Sequence, residues 1–213
     1  MSDTPTNSKS FRPVLELAGL LSGFKELWYV AGGWAIDLYL QDSRRTHKDV
    51  DIAVFRQDQL IFQRYFLERG WKLSKYVGNS VALGLWFAGE KLVLPDRGIF
   101  AQPPNSELPS MDILLNERKG KTWWFHKDAR ITHPIKTIGI RSDFGIPFLS
   151  PEIVLLFKAG HIYIDEPHNI LHRQRDEDDF QSIHRLLTAR CRTWLEKAIE
   201  LLYPNHPWLK YLR

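Results

Sequence analysis

The chain has 213 residues, 44% of them hydrophobic and 25% charged, which is the balance of a folded globular protein and excludes disorder along its whole length. Cys191 is the only cysteine, which excludes an intrachain disulfide and a cysteine-based zinc site. The net charge of +4, from 29 Lys and Arg against 25 Asp and Glu, is mixed in sign; it permits a nucleotide or nucleic-acid partner without requiring one. Residues 1–10 read as a polar tail lacking the apolar core of a signal peptide. Val14, Leu15, Leu17, Leu20, Leu21 and Phe24 fall mostly at helical spacing between Pro13 and Gly23, which predicts an amphipathic helix. Leu27 to Ala31 is a short apolar run that predicts a buried strand. Gly32-Gly33 breaks it, and Trp34 to Leu40 predicts a helix.

Asp49 to Phe55 alternates, with Val50, Ile52 and Val54 on one face and Asp49, Asp51, Ala53 and Phe55 on the other. A helix is expected over Gln57 to Arg69, stopped by Gly70, and a strand over Trp71 to Tyr76. The stretch from Gly78 to Pro109 predicts one or two short strands and a long loop. It includes the longest apolar run, Val81 to Ala88, far below the roughly 18 residues of a membrane span. Met111 to Asn116 alternates again, with Asp112 on the polar face; weaker strands are expected at Thr122 to Phe125 and Ile135 to Ile140. Ser150-Pro151-Glu152 has the form of a helix start, with Ser as N-cap, and predicts a helix to Ala159 closed by Gly160. Two more helices are expected, at Asp176 to Leu187 and Arg192 to Tyr203. The pattern predicts an α+β fold: a tail at 1–10, a mixed β-sheet flanked by helices at 11–149, and a C-terminal helical domain at 150–213.

The sharpest constellation is Gly32-Gly33 followed by Asp49-Val50-Asp51. Residues i and i+2 on a strand lie roughly 6.5–7 Å apart, so their carboxylates can converge on a divalent cation. A glycine pair lets the backbone come close to a phosphate, and the helix after it offers free N–H groups to the same anion. Asp112 supplies a third carboxylate on another strand. Three such acids repel one another unless a cation joins them, and Mg²⁺ is the natural one for an all-oxygen donor set.

The stretch Trp28-Tyr29-Val30-Ala31-Gly32-Gly33-Trp34-Ala35-Ile36-Asp37, continuing through Arg45-Thr46-His47-Lys48-Asp49-Val50-Asp51-Ile52, resembles the nucleotidyltransferases of the DNA polymerase β type. Within them it is most similar to the aminoglycoside (2″) adenylyltransferase-like and lincosamide nucleotidyltransferase branch. That branch carries a Gly-Gly-Trp turn, a basic loop with His, then Asp-x-Asp. Asp112 in Ser110-Met111-Asp112-Ile113-Leu114 matches its third carboxylate, and Ser150-Pro151-Glu152 through Lys158, with Arg175-Asp176-Glu177-Asp178-Asp179-Phe180, resembles its helical half. Lys48 departs from the pattern, because the branch often has an acidic or small residue there. The middle segment names no acceptor.

The resemblance implies a transferase that moves a nucleoside monophosphate, AMP from ATP, to a hydroxyl of a small acceptor such as an aminoglycoside-like antibiotic. It implies Asp49, Asp51 and Asp112 as catalytic metal ligands for Mg²⁺, with Asp112 doubling as general base. Gly32, Gly33, Trp34, Arg45, His47 and Lys158 are implied for the nucleoside triphosphate. The alternatives are transfer of AMP to a protein or RNA, or a non-catalytic nucleotide-binding module. A cytoplasmic monomer or homodimer is expected, with no membrane partner. Other groups have plainer readings. Asp37 reads as a helix-terminal charge or a partner of Arg44 or Arg45. Lys158 in its apolar helix could instead snorkel to solvent. Asp176 to Asp179 read as a solvated acid run at a helix start. The basic residues around Trp123-Trp124-Phe125 read as charged outer positions over core-facing aromatics rather than as a nucleic-acid surface.

Overall fold

A computed structural model describes residues 10–77, 82–105, 107–163 and 170–213, with side chains at 162–163 and 170–173 left aside. The expected tail therefore lies outside the described residues apart from Ser10. The chain is α+β and divides into two compact units, Met1–Phe148 and Leu149–Arg213.

In the first unit, α1 (Arg12–Leu20) carries Pro13 in its first turn and buries Val14 and Leu17, then tightens into a 3-10 turn at Leu21–Gly23. Strand β1 (Trp28–Val30) leads into α2 (Gly32–Leu40). The glycine pair forms the first turn of α2, so the helix begins two residues earlier than expected. Strand β2 (Val50–Phe55) leads through a 3-10 turn to α3 (Gln59–Leu67), which Gly70 follows at φ +76°. Then come β3 (Lys72–Tyr76), β4 (Leu83–Leu85), β5 (Gly98–Gln102) and β6 (Met111–Lys119). Strands β7 (Thr122–Phe125), β8 (Asp128–Pro134), β9 (Gly139–Arg141) and β10 (Pro147–Leu149) complete the sheet.

Two departures stand out in this unit. The expected strand at Ile135 to Ile140 is a 3-10 turn at Ile135–Thr137 and the short β9, while β8 precedes it. Ala53 and Phe55 share the face of Asp51 by alternation, yet both are buried. The sheet order is β4-β3-β5-β6-β2-β1-β10-β9, so β2 is central and both its faces are covered beyond Asp51. Pairing is mixed: β2 runs parallel to β6 and antiparallel to β1, and β1 runs parallel to β10. Helix α2 packs on β2 and α3 on β3.

The second unit is helical: α4 (Pro151–Tyr163), α5 (Ile170–Ile183), α6 (Ala189–Leu202) and α7 (Leu209–Leu212). Helix α4 continues past Gly160, the expected stop. A glycine lowers helix propensity by only about 1 kcal/mol, and packing against α5 and α6 outweighs that. The carbonyl of Ser150 opens the helix by accepting from Val154 N at 3.2 Å, whereas its buried hydroxyl has no hydrogen-bond partner. Phe180 stacks on Trp208 with ring centroids 4.2 Å apart, at the centre of this core. Among the described residues no helix is long and apolar enough to cross a membrane.

Candidate active site

The sheet places Asp51 directly beside Asp112, because β2 and β6 run parallel in a register that pairs those two residues. Paired residues on adjacent strands point to the same face. Both are half-buried, while Ile52 and Ile113 on the opposite face are fully buried. Asp49 immediately precedes β2 and is half-buried.

Gly32 sits at φ +57°, and a Cβ built there would lie 1.9 Å from Asp51 Oδ2. Only glycine permits both this backbone and this approach. At Gly33 a Cβ would lie 2.2 Å from Arg45 Nη2 and 2.6 Å from His47 Cε1. The first turn of α2 therefore lies between the Asp51 carboxylate and the basic loop. Its free N–H groups give this end of the helix a positive character suited to an anion.

Trp34 and Asp37 organise the loop. The Trp34 indole N–H donates to the Asp49 carbonyl at 3.0 Å, and its ring stacks on His47 at 4.3 Å. Asp37 is completely buried; its carboxylate lies 2.8 Å from His47 Nε2 and accepts from Arg44 Nε at 3.1 Å. Asp37 thus partners Arg44, one of the two arginines expected, together with His47. Trp34, His47, Arg44 and Asp37 form one connected group that holds the loop between α2 and β2 and fixes the backbone at Asp49.

The sequence did not single out Tyr76. Its hydroxyl donates to Asp112 Oδ1. Burial pushes the Tyr76 phenol well above its ordinary value, and the Asp112 bond and the charges of Asp112, Asp49 and Asp51 push it further the same way. Burial also raises Asp112; the Tyr76 bond opposes this and Asp49 adds to it. The only signal available beforehand was the alternation of β3, which cannot say which strand lies next to it.

Among the described residues no three His, Cys, Asp or Glu side chains form a ready-made metal cage. The fit to a cation is one of chemistry. Asp49, Asp51 and Asp112 offer only carboxylate oxygens, two of them side by side in register, and like charge is felt between Asp49 and Asp112. That donor set suits a hard divalent ion such as Mg²⁺.

Lys158 belongs to the second unit. It is buried rather than snorkelling, and its ammonium contacts Asp176 and Asp179, the latter at 2.9 Å. Burial alone would push Lys158 down, but the two carboxylates outweigh it and hold it above its ordinary value. Asp176 also accepts from His161 at 2.8 Å. The acid run lies within α5, not at its start, and Asp176 and Asp179 are buried. The basic strip of β6 to β8 is a packing feature: Trp123 is fully buried and donates to Asn116 at 3.0 Å, and Arg118 pairs with Asp58 at 3.2 Å.

Known proteins share sequence with one stretch of this chain and share its fold. Residues 13–80 match the family model described as Aminoglycoside-2''-adenylyltransferase. The match contains the whole Trp28 to Ile52 stretch and bears out the resemblance drawn from it. No curated protein matches in sequence. The solution structure of the antibiotic-resistance factor ANT(2'')-Ia is 13% identical over 97% of both chains, with a TM-score of 0.58. The crystal structure of ANT(2'')-Ia with adenylyl-2''-tobramycin is 11% identical over 93% of this chain and 99% of that one, with a TM-score of 0.56. The lincomycin-bound lincosamide antibiotic adenylyltransferase LnuA is 16% identical over 79% of this chain and 96% of that one, with a TM-score of 0.51. The shared feature is the nucleotidyltransferase fold.

Proposed function

We propose that this chain is a nucleotidyltransferase that moves AMP from ATP to a hydroxyl of a small acceptor. The observation that carries the reading is the in-register pair Asp51 and Asp112, set against the first turn of α2 at Gly32. The names of the structures that share its fold, which carry an adenylylated tobramycin and lincomycin, make antibiotics of those two kinds the first acceptors to try.

Asp49, Asp51 and Asp112 would hold a divalent cation, Mg²⁺ by donor type, and that ion would supply positive charge against the triphosphate and the departing pyrophosphate. The chain's own groups do the rest. The turn at Gly32 and Gly33 receives phosphate oxygens on backbone N–H groups. Arg45 and His47 bring positive charge or hydrogen-bond donors to the Gly33 side, with His47 oriented by Asp37. Trp34 fixes the backbone that presents Asp49. Asp112 takes the proton from the acceptor hydroxyl as that oxygen bonds to the α-phosphorus and the bond to pyrophosphate breaks. Lys158 has no part in this scheme, since two buried carboxylates already hold its charge.

The test is transfer of label from α-labelled ATP, with and without Mg²⁺, to small hydroxyl compounds, to RNA and to protein. Mg²⁺-dependent label on a small molecule supports the proposal. Label on RNA or protein alone, or ATP binding without turnover, replaces it with one of the alternatives.

A further inference from the structure

The face that carries Asp51 and Asp112 continues across three more strands. Asp112 pairs with Phe100 on β5, Phe100 with Ser74 on β3, and Ser74 with Leu85 on β4. One row along, Tyr76 pairs with Leu83. Paired residues share a face, so Phe100, Ser74, Tyr76, Leu83 and Leu85 lie on the side of the carboxylates. It is the open side. Phe100, Ser74 and Tyr76 are half-buried, Leu83 is 49% exposed and Leu85 70%, whereas Leu73, Ile99 and Ala101 on the other side are buried.

Strands lie about 4.8 Å apart, so the three steps from Asp112 to Leu85 span about 14 Å, the length of a small natural product. The hydroxyl of Tyr76 on Asp112 joins the apolar strip to the acid site. The strip's charge is as telling as its apolarity. Strands β3, β4 and β5 contain no carboxylate. On this face their one ionised group is Lys72, paired with Gln102. Lys75 alternates to the other face and bonds Glu90. A polyamine laid along these three strands would meet a like charge and apolar side chains, with no carboxylate on the strands themselves.

We infer that this strip is the acceptor subsite, and that the acceptor is an amphipathic hydroxyl compound of low charge rather than a polycation. Its reacting hydroxyl lies at Asp112 and its apolar body covers Phe100, Tyr76, Leu83 and Leu85. The inference rests on the nucleotidyl-transfer reading and adds the class of substrate to it. The rival occupant of an apolar and aromatic strip is the base of the nucleotide, and the two predict opposite kinetics.

Lincomycin, an amphipath with a single basic amine, and tobramycin, a polyamine, serve as probes. With Mg²⁺ and ATP, kcat/KM for lincomycin should exceed that for tobramycin at least tenfold. Leu85→Asp should raise the KM for lincomycin about tenfold and leave the KM for ATP unchanged. Leu85→Ser, which removes apolar surface without adding charge, should show a smaller rise in the same direction. Both side-chain changes are at an exposed position, so thermal melting should stay near that of the parent. Preference for tobramycin, a rise in the KM for ATP, or indifference of lincomycin kinetics to both variants would overturn the inference. So would binding of ATP without transfer to lincomycin. A parent protein that neither binds nor turns over ATP with any acceptor would instead overturn the nucleotidyl-transfer reading.

Discussion

Gly32→Ala tests the geometry of the site at its tightest point. Two costs arise. An L-residue at φ +57° costs about 1–2 kcal/mol of backbone strain. The new Cβ would lie 1.9 Å from Asp51 Oδ2 where ordinary contact begins at 3.4 Å, so the carboxylate must retreat by about 1.5 Å. Misplacing a reacting group by about 1 Å can cost roughly 100-fold in rate. Transfer measured by pyrophosphate release should therefore fall at least about 100-fold in kcat/KM, or about 2.7 kcal/mol of transition-state stabilisation. Melting should fall by about 2–8 °C for the strain alone at this chain length. Gly120→Ala is the control: it has φ +58° with nothing within 4 Å of the added Cβ. It should show the loss of melting temperature without the loss of transfer. Parent-like kcat/KM in Gly32→Ala, or an equal loss of activity in Gly120→Ala, would refute the reasoning.

Asp37→Ala removes a buried carboxylate that serves both Arg44 and His47, at a cost of about 1.5–3 kcal/mol by chemical denaturation. Its kcat/KM should fall at temperatures where the variant is still folded, because the loop over Gly33 loses its anchor. Trp34→Phe keeps a ring against His47 but frees the Asp49 carbonyl; about 1 kcal/mol of stability should go, with a measurable fall in transfer. Lys158→Met leaves Asp176 and Asp179 buried without their cation and should cost about 3–5 kcal/mol in denaturant melts. The same group sets a pH dependence. The bonds to His161 and Lys158 hold Asp176 below its ordinary 3.8 against the upward push of burial, so its contribution is present above that value and lost as pH falls through the lower folded value. Lys158 is held above its ordinary 10.5, so its contribution is present below that value and lost as pH rises through the higher folded one. In Lys158→Met the acid-side loss should begin at higher pH than in the parent; a coincident acid limb would show that the pair is not coupled.

The turn from β1 into α2 and on to Asp49 and Asp51 was legible because its signals are local: an apolar run, two glycines and an alternating strand. Asp112 was legible as a polar residue on an apolar strand, but its place beside Asp51 depends on a parallel pairing across sixty residues that no local pattern encodes. Tyr76 was hidden for the same reason, since its partner lies two strands away through β5. Asp37 looked like an ordinary helix charge; its burial follows from the return of the loop that carries Arg44 and His47. Helix α5 was entered late because its first turns precede the acid run, and Asp176 and Asp179 are buried only because Lys158 faces them. Strand β8 escaped because its alternation of Ala129, Ile131 and His133 is weakly apolar. It forms because Trp123 and Trp124 on β7 pair with His133 and Thr132.

The central claim is that the carboxylates before and within β2 act on the triphosphate. The most direct measurement is Mg²⁺-dependent transfer from labelled ATP by Asp49→Asn and Asp51→Asn, each checked by thermal melting. The account predicts that both variants stay folded and lose transfer. Undiminished transfer in both would contradict it.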